Sequence, residues 1–413
     1  MTSRTVVTTG STLAVPPSFE VPKLEAAAAT TMLLFVAAVQ LSIAASAMLL
    51  TAALALWVSI LVIHRERLEV PVIGWPLLAY AFFTMVSVAT SRDPVASVID
   101  SKEILLFLVV PVVYRLARGP HAATAANIII TIGAATAVFG IVQYGILEYD
   151  HLGQRPQGSM GHYMTYSGLL MLVIGLAAAR ILFGAQDRIW AALVLPALLV
   201  ALMLTFTRSA WVGACVGVSL LFVLKDLRLL ALAPVVAAVF FVLAPARVTD
   251  RVYTMFDLQD PTNRDRFAMA RAGGRMIADH PLTGVGPDMV QEVYPGYRDE
   301  GAVNETTPHL HNVPLQIAAE RGLPALATWL WFVVVSIREL LRNLRRPESR
   351  PLAAGGLAAM ASMLAAGMFE YNFGDSEFLM LLLVLLTLPA AATYRAPARE
   401  TGSVPSSGHA TPA

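Results

Sequence analysis

Apolar runs close to the length of a membrane span recur along this chain, interrupted at length only by the polar stretch at about residues 247–310. A helix needs about 20 apolar residues to cross a bilayer, and it must satisfy its backbone polar groups internally. Runs that meet or approach that length lie at 28–44, 46–63, 72–90, 103–117, 124–146, 162–183, 189–206, 210–224, 228–246, 322–338, 352–369 and 377–394. They predict an all-α polytopic membrane protein of about 12 transmembrane helices, with one large loop containing short helices. The first pair could also form one long tilted helix. Composition agrees: 14% of residues are charged, against about 25% in a soluble domain.

Charge sorts these runs by side. Alternate loops carry Arg65 and Arg67, then Arg115 and Arg118, Arg180 and Arg188, Lys225 and Arg228, and finally Arg338, Arg342, Arg345, Arg346 and Arg350. By the positive-inside rule that side is cytoplasmic, and both termini fall on it. The opposite loops are mixed or acidic, with Asp93, Asp100 and Glu103, Glu148 and Asp150, the 247–310 stretch, and Glu370, Asp375 and Glu377. The large loop is therefore expected on the opposite face, toward the periplasm or exterior. The implied organisation is a cytoplasmic tail at 1–26, helices across 27–246, the loop at 247–310, an edge helix and the last spans across 311–394, and a tail at 395–413. The first tail lacks the layout of a signal peptide. The last, rich in Ala, Pro, Ser, Gly and Thr, reads as disordered. The single cysteine, Cys215, excludes a disulfide framework and is expected as a buried thiol. No nucleotide-binding glycine pattern, HExxH or basic nucleic-acid arm is present, so neither ATP chemistry nor a nucleic-acid partner is expected.

Chemistry then concentrates on the outer face. Residues 264–278 suit a surface helix, on which Arg264, Arg271 and Arg275 share one side and can meet water or headgroups. Arg266 falls with Met269, Ala270, Gly273 and Ile277, and an arginine on so small and apolar a face needs an anionic partner. His280-Pro281 ends that helix, and Gly284 and Gly286 permit tight turns, so a turn role is expected for Asp279 and His280. Asn312 is a plausible helix N-cap, with Pro314 in the first turn. His311, just before it, shares a face with Leu315, Ala318 and Gly322, and a neutral imidazole there can take a proton from a hydroxyl. His309 is near, but no third ligand stands at metal spacing, so no metal is expected. Arg208 sits between two spans, where a charge snorkels or pairs. Arg155 precedes another span, beside Gly158 and Gly161. Guanidinium forks grip phosphate oxygens two at a time. Arginines at this depth suggest an enzyme or a carrier for a lipid-linked diphosphate.

Four segments, in order, resemble the superfamily of O-antigen ligases and Wzy-type polymerases, which are bacterial envelope glycosyltransferases. Thr207-Arg208-Ser209-Ala210-Trp211 is similar to its Ser-Arg-Gly/Ser-Ala-Trp segment. Arg266 followed by Asp279-His280-Pro281-Leu282-Thr283-Gly284-Val285-Gly286 is similar to its arginine and His-Pro-Leu-x-Gly-x-Gly turn. His311-Asn312 through Gly322 matches the ligase spacing of His-Asn, nine residues, Gly. The resemblance covers about residues 155–340, and topology extends it. Departures are Ala325 for Gly, Thr or Tyr, Thr207 for serine, and Ala270 and Gly274 for tryptophans.

The resemblance implies a donor glycan on undecaprenyl diphosphate. The acceptor would be a sugar hydroxyl, on lipid A–core for a ligase or on another lipid-linked glycan for a polymerase. Arg208 and Arg266 would bind the diphosphate and His311 would orient or deprotonate the acceptor, by direct inverting attack with no metal or other cofactor. Arg155 joins them on position alone, and His280, Gly284, Gly286, Asn312 and Gly322 would support the site. A ligase is the leading expectation and a polymerase the runner-up. A transporter for the same glycans would want charges in mid-span and broken, repeated helices, whereas the charges here gather at the outer edge.

Overall fold

Residues 21–184, 188–232, 234, 238, 242, 246–255, 257, 259–300 and 302–394 are described by a computed structural model. Among them the named elements are all helical. The first are α1 (Val21–Ala38), α2 (Ile43–His64), α3 (Gly74–Ala89), α4 (Pro94–Asp100) and α5 (Val109–Leu116). Next come α6 (Pro120–Gly145), α7 (Tyr163–Phe183), α8 (Arg188–Leu204), α9 (Arg208–Lys225) and α10 (Ala246–Tyr253). The last are α11 (Pro261–Asp279), α12 (Val290–Tyr297), α13 (Val313–Leu344), α14 (Arg350–Ala366) and α15 (Ser376–Ala392).

Five of these, α2, α6, α7, α9 and α13, are long and apolar enough to cross a membrane, and α3, α8 and α15 are shorter apolar helices. The chain is thus a multi-pass helical membrane protein. The first two runs form two separate helices, α1 and α2. The run at 103–117 is not one helix but a 3-10 segment, Ser101–Leu108, followed by α5. Pro111 lies at that junction and has no N–H with which to continue an α-helical ladder from the turn before it. The run at 228–246 lies largely outside the described residues, as do residues 1–20 and 395–413 of the two expected tails. Cys215, expected to be buried, is exposed on α9. The apolar run that suggested burial serves there as an outward face of a span.

Two helices are buried on nearly all sides: α7 from Thr165 to Arg180 and α15 from Phe378 to Leu388. Helices apolar all round belong inside a bundle, and α6, α8, α9 and α14 pack around α7. Backbones approach closely here. A Cβ on Gly217 would sit 2.9 Å from the carbonyl oxygen of Ala358, and one on Gly213 would sit 2.8 Å from that of Ser362. This small-residue seam seats α9 against α14, and so fixes Arg208 at the start of α9.

The 261–310 segment has its own small core, built on Met269, Met276, Val290 and Tyr294, and joined to the bundle through Leu310 and Ala319. The joint is a break in α13. Gly322 there has φ 79°, and Pro324 follows. The turn after α11 docks on this break: Val285 N–H donates to the Ala319 carbonyl at 2.9 Å, Gly286 N–H to the Glu320 carbonyl at 3.0 Å, and Leu323 N–H to the Pro281 carbonyl at 2.8 Å. The Ser87 hydroxyl on α3 also donates to the Glu320 carbonyl, at 2.8 Å. Gly284 (φ 68°) and Gly322 face each other across this contact, and a Cβ on either would overlap the opposing backbone.

Gly284→Ala should therefore destabilise the protein by about 2 kcal/mol or more, through left-handed strain plus overpacking. Gly274→Ala is the control, since a Cβ there meets nothing within 4 Å. Thermal unfolding of the two purified variants in one detergent should show a lowered Tm for the first alone.

Candidate active site

Each of the four arginines that matter is delivered by a different local device. Phe206, buried and left-handed at φ 55°, turns the chain sharply between α8 and α9. Arg208 follows as the first residue of α9 and is itself buried. Its guanidinium donates to the Thr254 carbonyl at 2.9 Å and lies 3.5 Å from Asp260, which caps α11 by accepting from Thr262 N–H at 3.0 Å. Arg266 stands near the start of α11, with its guanidinium 5.9 Å from the Phe369 ring centre. Arg251 comes from α10. Arg155 lies over the Tyr163 ring at 4.2 Å and donates to the Leu152 carbonyl at 3.0 Å.

All four line one cavity of about 530 Å³, together with Tyr163, Thr207, Asp265, His311 and Glu370. Positive charge in it is under-compensated. Burial, and then the neighbouring Arg208 and Arg155, push the Arg251 guanidinium down to about 10. Burial also lowers Arg266 and Arg155, with Arg208 adding to both. The Nε atoms of Arg251 and Arg266 are buried and have no hydrogen-bond partner. Buried donors normally find acceptors, and this bonding capacity lies unused at both arginines, as it does at the Nε of Arg321. Other basic residues of the same segment are used differently. Arg271 pairs with Asp299, Arg275 reaches the same carboxylate at 2.8 Å, and both arginines are exposed, as is Arg264.

His311 sits opposite. Its backbone is left-handed at φ 49°, an uncommon state for a non-glycine residue and one that tends to cluster at functional sites. Asn312 then caps α13, accepting from Leu315 N–H at 2.9 Å and donating through its amide to the Met368 carbonyl at 3.1 Å. Val313 N–H donates to the Gly367 carbonyl at 2.7 Å. These bonds tie the start of α13 to the loop that carries Glu370. There His311 Nδ1 lies 3.0 Å from Glu370 Oε2. Burial works against the charge of Glu370, but the hydrogen bond from His311, the two imidazoles and the Tyr371 N–H outweigh it and hold the carboxyl below its usual range. A carboxylate only accepts, so Nδ1 of His311 carries a proton, and in a neutral imidazole that leaves Nε2 with its lone pair.

The structure brings Arg155, Arg208, Arg266 and His311 together in this cavity, and places His280, Gly284, Gly286, Asn312 and Gly322 outside it. His280 is exposed at the C-terminal cap of α11, while Gly284, Gly286 and Gly322 form the joint with α13 and Asn312 caps it. Two participants escaped the sequence reading. Arg251 was one basic residue among many in the polar stretch, with no helical face to single it out. Glu370 showed only as an acid on the same side of the membrane. Glu370 also supplies the third group whose absence argued against a metal: ligand atoms of His309, His311 and Glu370 all lie within 4.8 Å of one another. Contacts of Glu370 with His311 Nδ1 at 3.0 Å and His309 Nε2 at 3.5 Å join the three side chains into one cluster.

Residues 191–330 match the O-antigen ligase family, Wzy_C. The matched region includes Arg208, Arg251, Arg266 and His311 and excludes Arg155 and Glu370. No curated protein matches the chain.

A polyanion that binds the folded cavity should stabilise the protein by mass action, by about 2.7 kcal/mol at a hundred times its Kd. Inorganic pyrophosphate at low ionic strength is expected to raise the Tm of the wild type. The Arg251→Ala, Arg266→Ala double variant should lose that rise.

Proposed function

We propose, from the premise that residues 191–330 form an O-antigen ligase domain, that this membrane glycosyltransferase moves a glycan from undecaprenyl diphosphate to a sugar hydroxyl. The leading acceptor is lipid A–core. The observation that carries the reading is the meeting of four arginines and the His311–Glu370 pair in one cavity.

In this reading the arginines receive the diphosphate, their forks matching its oxygens. His311 Nε2 takes the proton of the acceptor hydroxyl as its oxygen bonds to the anomeric carbon. The bond from that carbon to the diphosphate oxygen breaks, and its electron pair leaves with the diphosphate. The charge growing on the leaving group is met by guanidiniums already in place. Attack from the face opposite the leaving group inverts the anomeric carbon. Glu370 stabilises the imidazolium that forms. Proton transfer and charge neutralisation are thus both supplied by side chains, and the reading requires no metal. The alternation of basic loops supports about 12 spans with both termini cytoplasmic and the cavity periplasmic.

His311→Ala should lower turnover by about 10³-fold while the protein still inserts and folds. Arg266→Lys keeps the charge but loses the fork, and is expected to cost about 10²-fold. Both are measured with purified protein, a labelled undecaprenyl-diphosphate glycan, and lipid A–core added or withheld. Label reaching lipid A–core identifies a ligase. Donor lengthening without that acceptor identifies a polymerase. Donor binding with no transfer of either kind refutes the glycosyltransferase reading in favour of a carrier, and an active Arg266→Lys refutes the two-toothed grip.

A further inference from the structure

His309 lies beside the base but does not line the cavity. Its ring packs on that of His311 with centres 4.2 Å apart, tilted at 64°. Its Nδ1 accepts the backbone N–H of His311 at 3.4 Å. In a neutral imidazole that leaves the proton on Nε2, and Nε2 lies 3.5 Å from Glu370 Oε1. Glu370 is therefore approached from both sides, with His311 on Oε2 and His309 on Oε1. The Tyr371 N–H reaches the same Oε1 at 3.2 Å. His309 is itself held in place: the Thr307 hydroxyl donates to its carbonyl at 2.8 Å, and its ring centre is 6.0 Å from that of Tyr371. Burial pushes the His309 imidazole down to about 4, which keeps the ring neutral and its Nδ1 lone pair available.

We infer that His309 is a positioning residue: by packing on the His311 ring and facing the second oxygen of Glu370, it fixes the orientation and tautomer of the base. Without it Glu370 gains freedom to rotate, and His311 loses both a ring neighbour and a partner to its backbone N–H. The strain of the left-handed His311 backbone makes that support more important, since a strained conformation persists only when its surroundings over-determine it.

The kinetic part of the test rests on the glycosyl-transfer reading, so a chemical probe independent of turnover accompanies it. Diethyl pyrocarbonate acylates the unprotonated imidazole nitrogen, and mass spectrometry follows the rate at His311 alone. In the full-length purified protein, His309→Ala should slow that rate severalfold and His309→Gln should restore most of it. In glycan transfer, His309→Ala should lower kcat by about 10-fold or more with donor KM within about twofold of wild type, and His309→Gln should recover most of the loss. A wild-type rate of His311 acylation in His309→Ala, or a faster one, overturns the inference. So does a loss seen chiefly in KM that glutamine does not repair, which would make His309 a substrate contact. Transfer abolished by a chelator and restored by Zn²⁺ would also overturn it, since the three side chains would then be metal ligands. If the wild type transfers nothing, the functional reading fails, and the acylation rates still decide the role of His309.

Discussion

In an unbroken α13 the Ala319 carbonyl would take the Leu323 N–H, while the Glu320 carbonyl would meet Pro324 and find no donor. Leu323 N–H is turned away to Pro281, and Pro324 has no N–H to give. Left unmet in a low-dielectric surrounding, each oxygen would cost about 1–3 kcal/mol. The turn after α11 supplies both donors, and α3 adds a third through Ser87. That exchange ties the extramembrane segment to the bundle. It sets α11, and with it Arg266, in register with α13, which His311 precedes just before the Asn312 cap. The same N-terminal end of α13 is bonded to the 367–370 loop, so Glu370 falls into the same frame. Three groups from three elements meet in the cavity because one helix is broken.

The electrostatics differ between two buried sites. Arg321, close behind the cavity, meets Glu320 at 2.6 Å, Asp100 at 3.3 Å and the Tyr371 hydroxyl at 3.2 Å. Its charge is compensated within the protein, as a structural charge in such a place must be. Arg155, Arg251 and Arg266 are not balanced in this way. Glu370 is committed to imidazoles and Asp265 to Asn304, and Asp260 divides its carboxylate between a helix cap and Arg208 at 3.5 Å. The charge of these arginines faces the cavity with less compensation than Arg321 has.

The sequence carried the fold class well, because twenty-residue apolar runs leave a chain few choices. It carried Arg208, Arg266 and His311 because each sits in a short motif whose neighbours are distinctive: an arginine at a helix start, an arginine on a small-residue face, a histidine before an asparagine cap. Boundaries were less legible. Pro111 divides what reads as one run, and α13 extends well beyond the apolar part by which it was recognised. Cys215 sat in an apolar run, and an apolar run does not distinguish a face buried in protein from one turned outward. Glu370 was beyond reach because its meaning lies in a 3.0 Å contact with a residue 59 positions away. Arg251 needed the angle between α10 and α11, which no local pattern encodes. The glycines at 284 and 322 were legible as turn formers, but not as a facing pair.

The unbalanced guanidiniums also bear on the end of a catalytic cycle. Attraction between an arginine cluster and a diphosphate does not lapse when the glycosidic bond breaks, and it strengthens as the leaving group takes on full charge. A cavity that lowers the barrier to departure from carbon also delays departure from the protein. If the proposed reaction holds, the slow event would shift from bond cleavage to the escape of a spent lipid carrier into the bilayer. On the proposed reading, the hydrogen bonds that Arg208 keeps with Thr254 would limit how tightly it could hold that product, and so would let the carrier go.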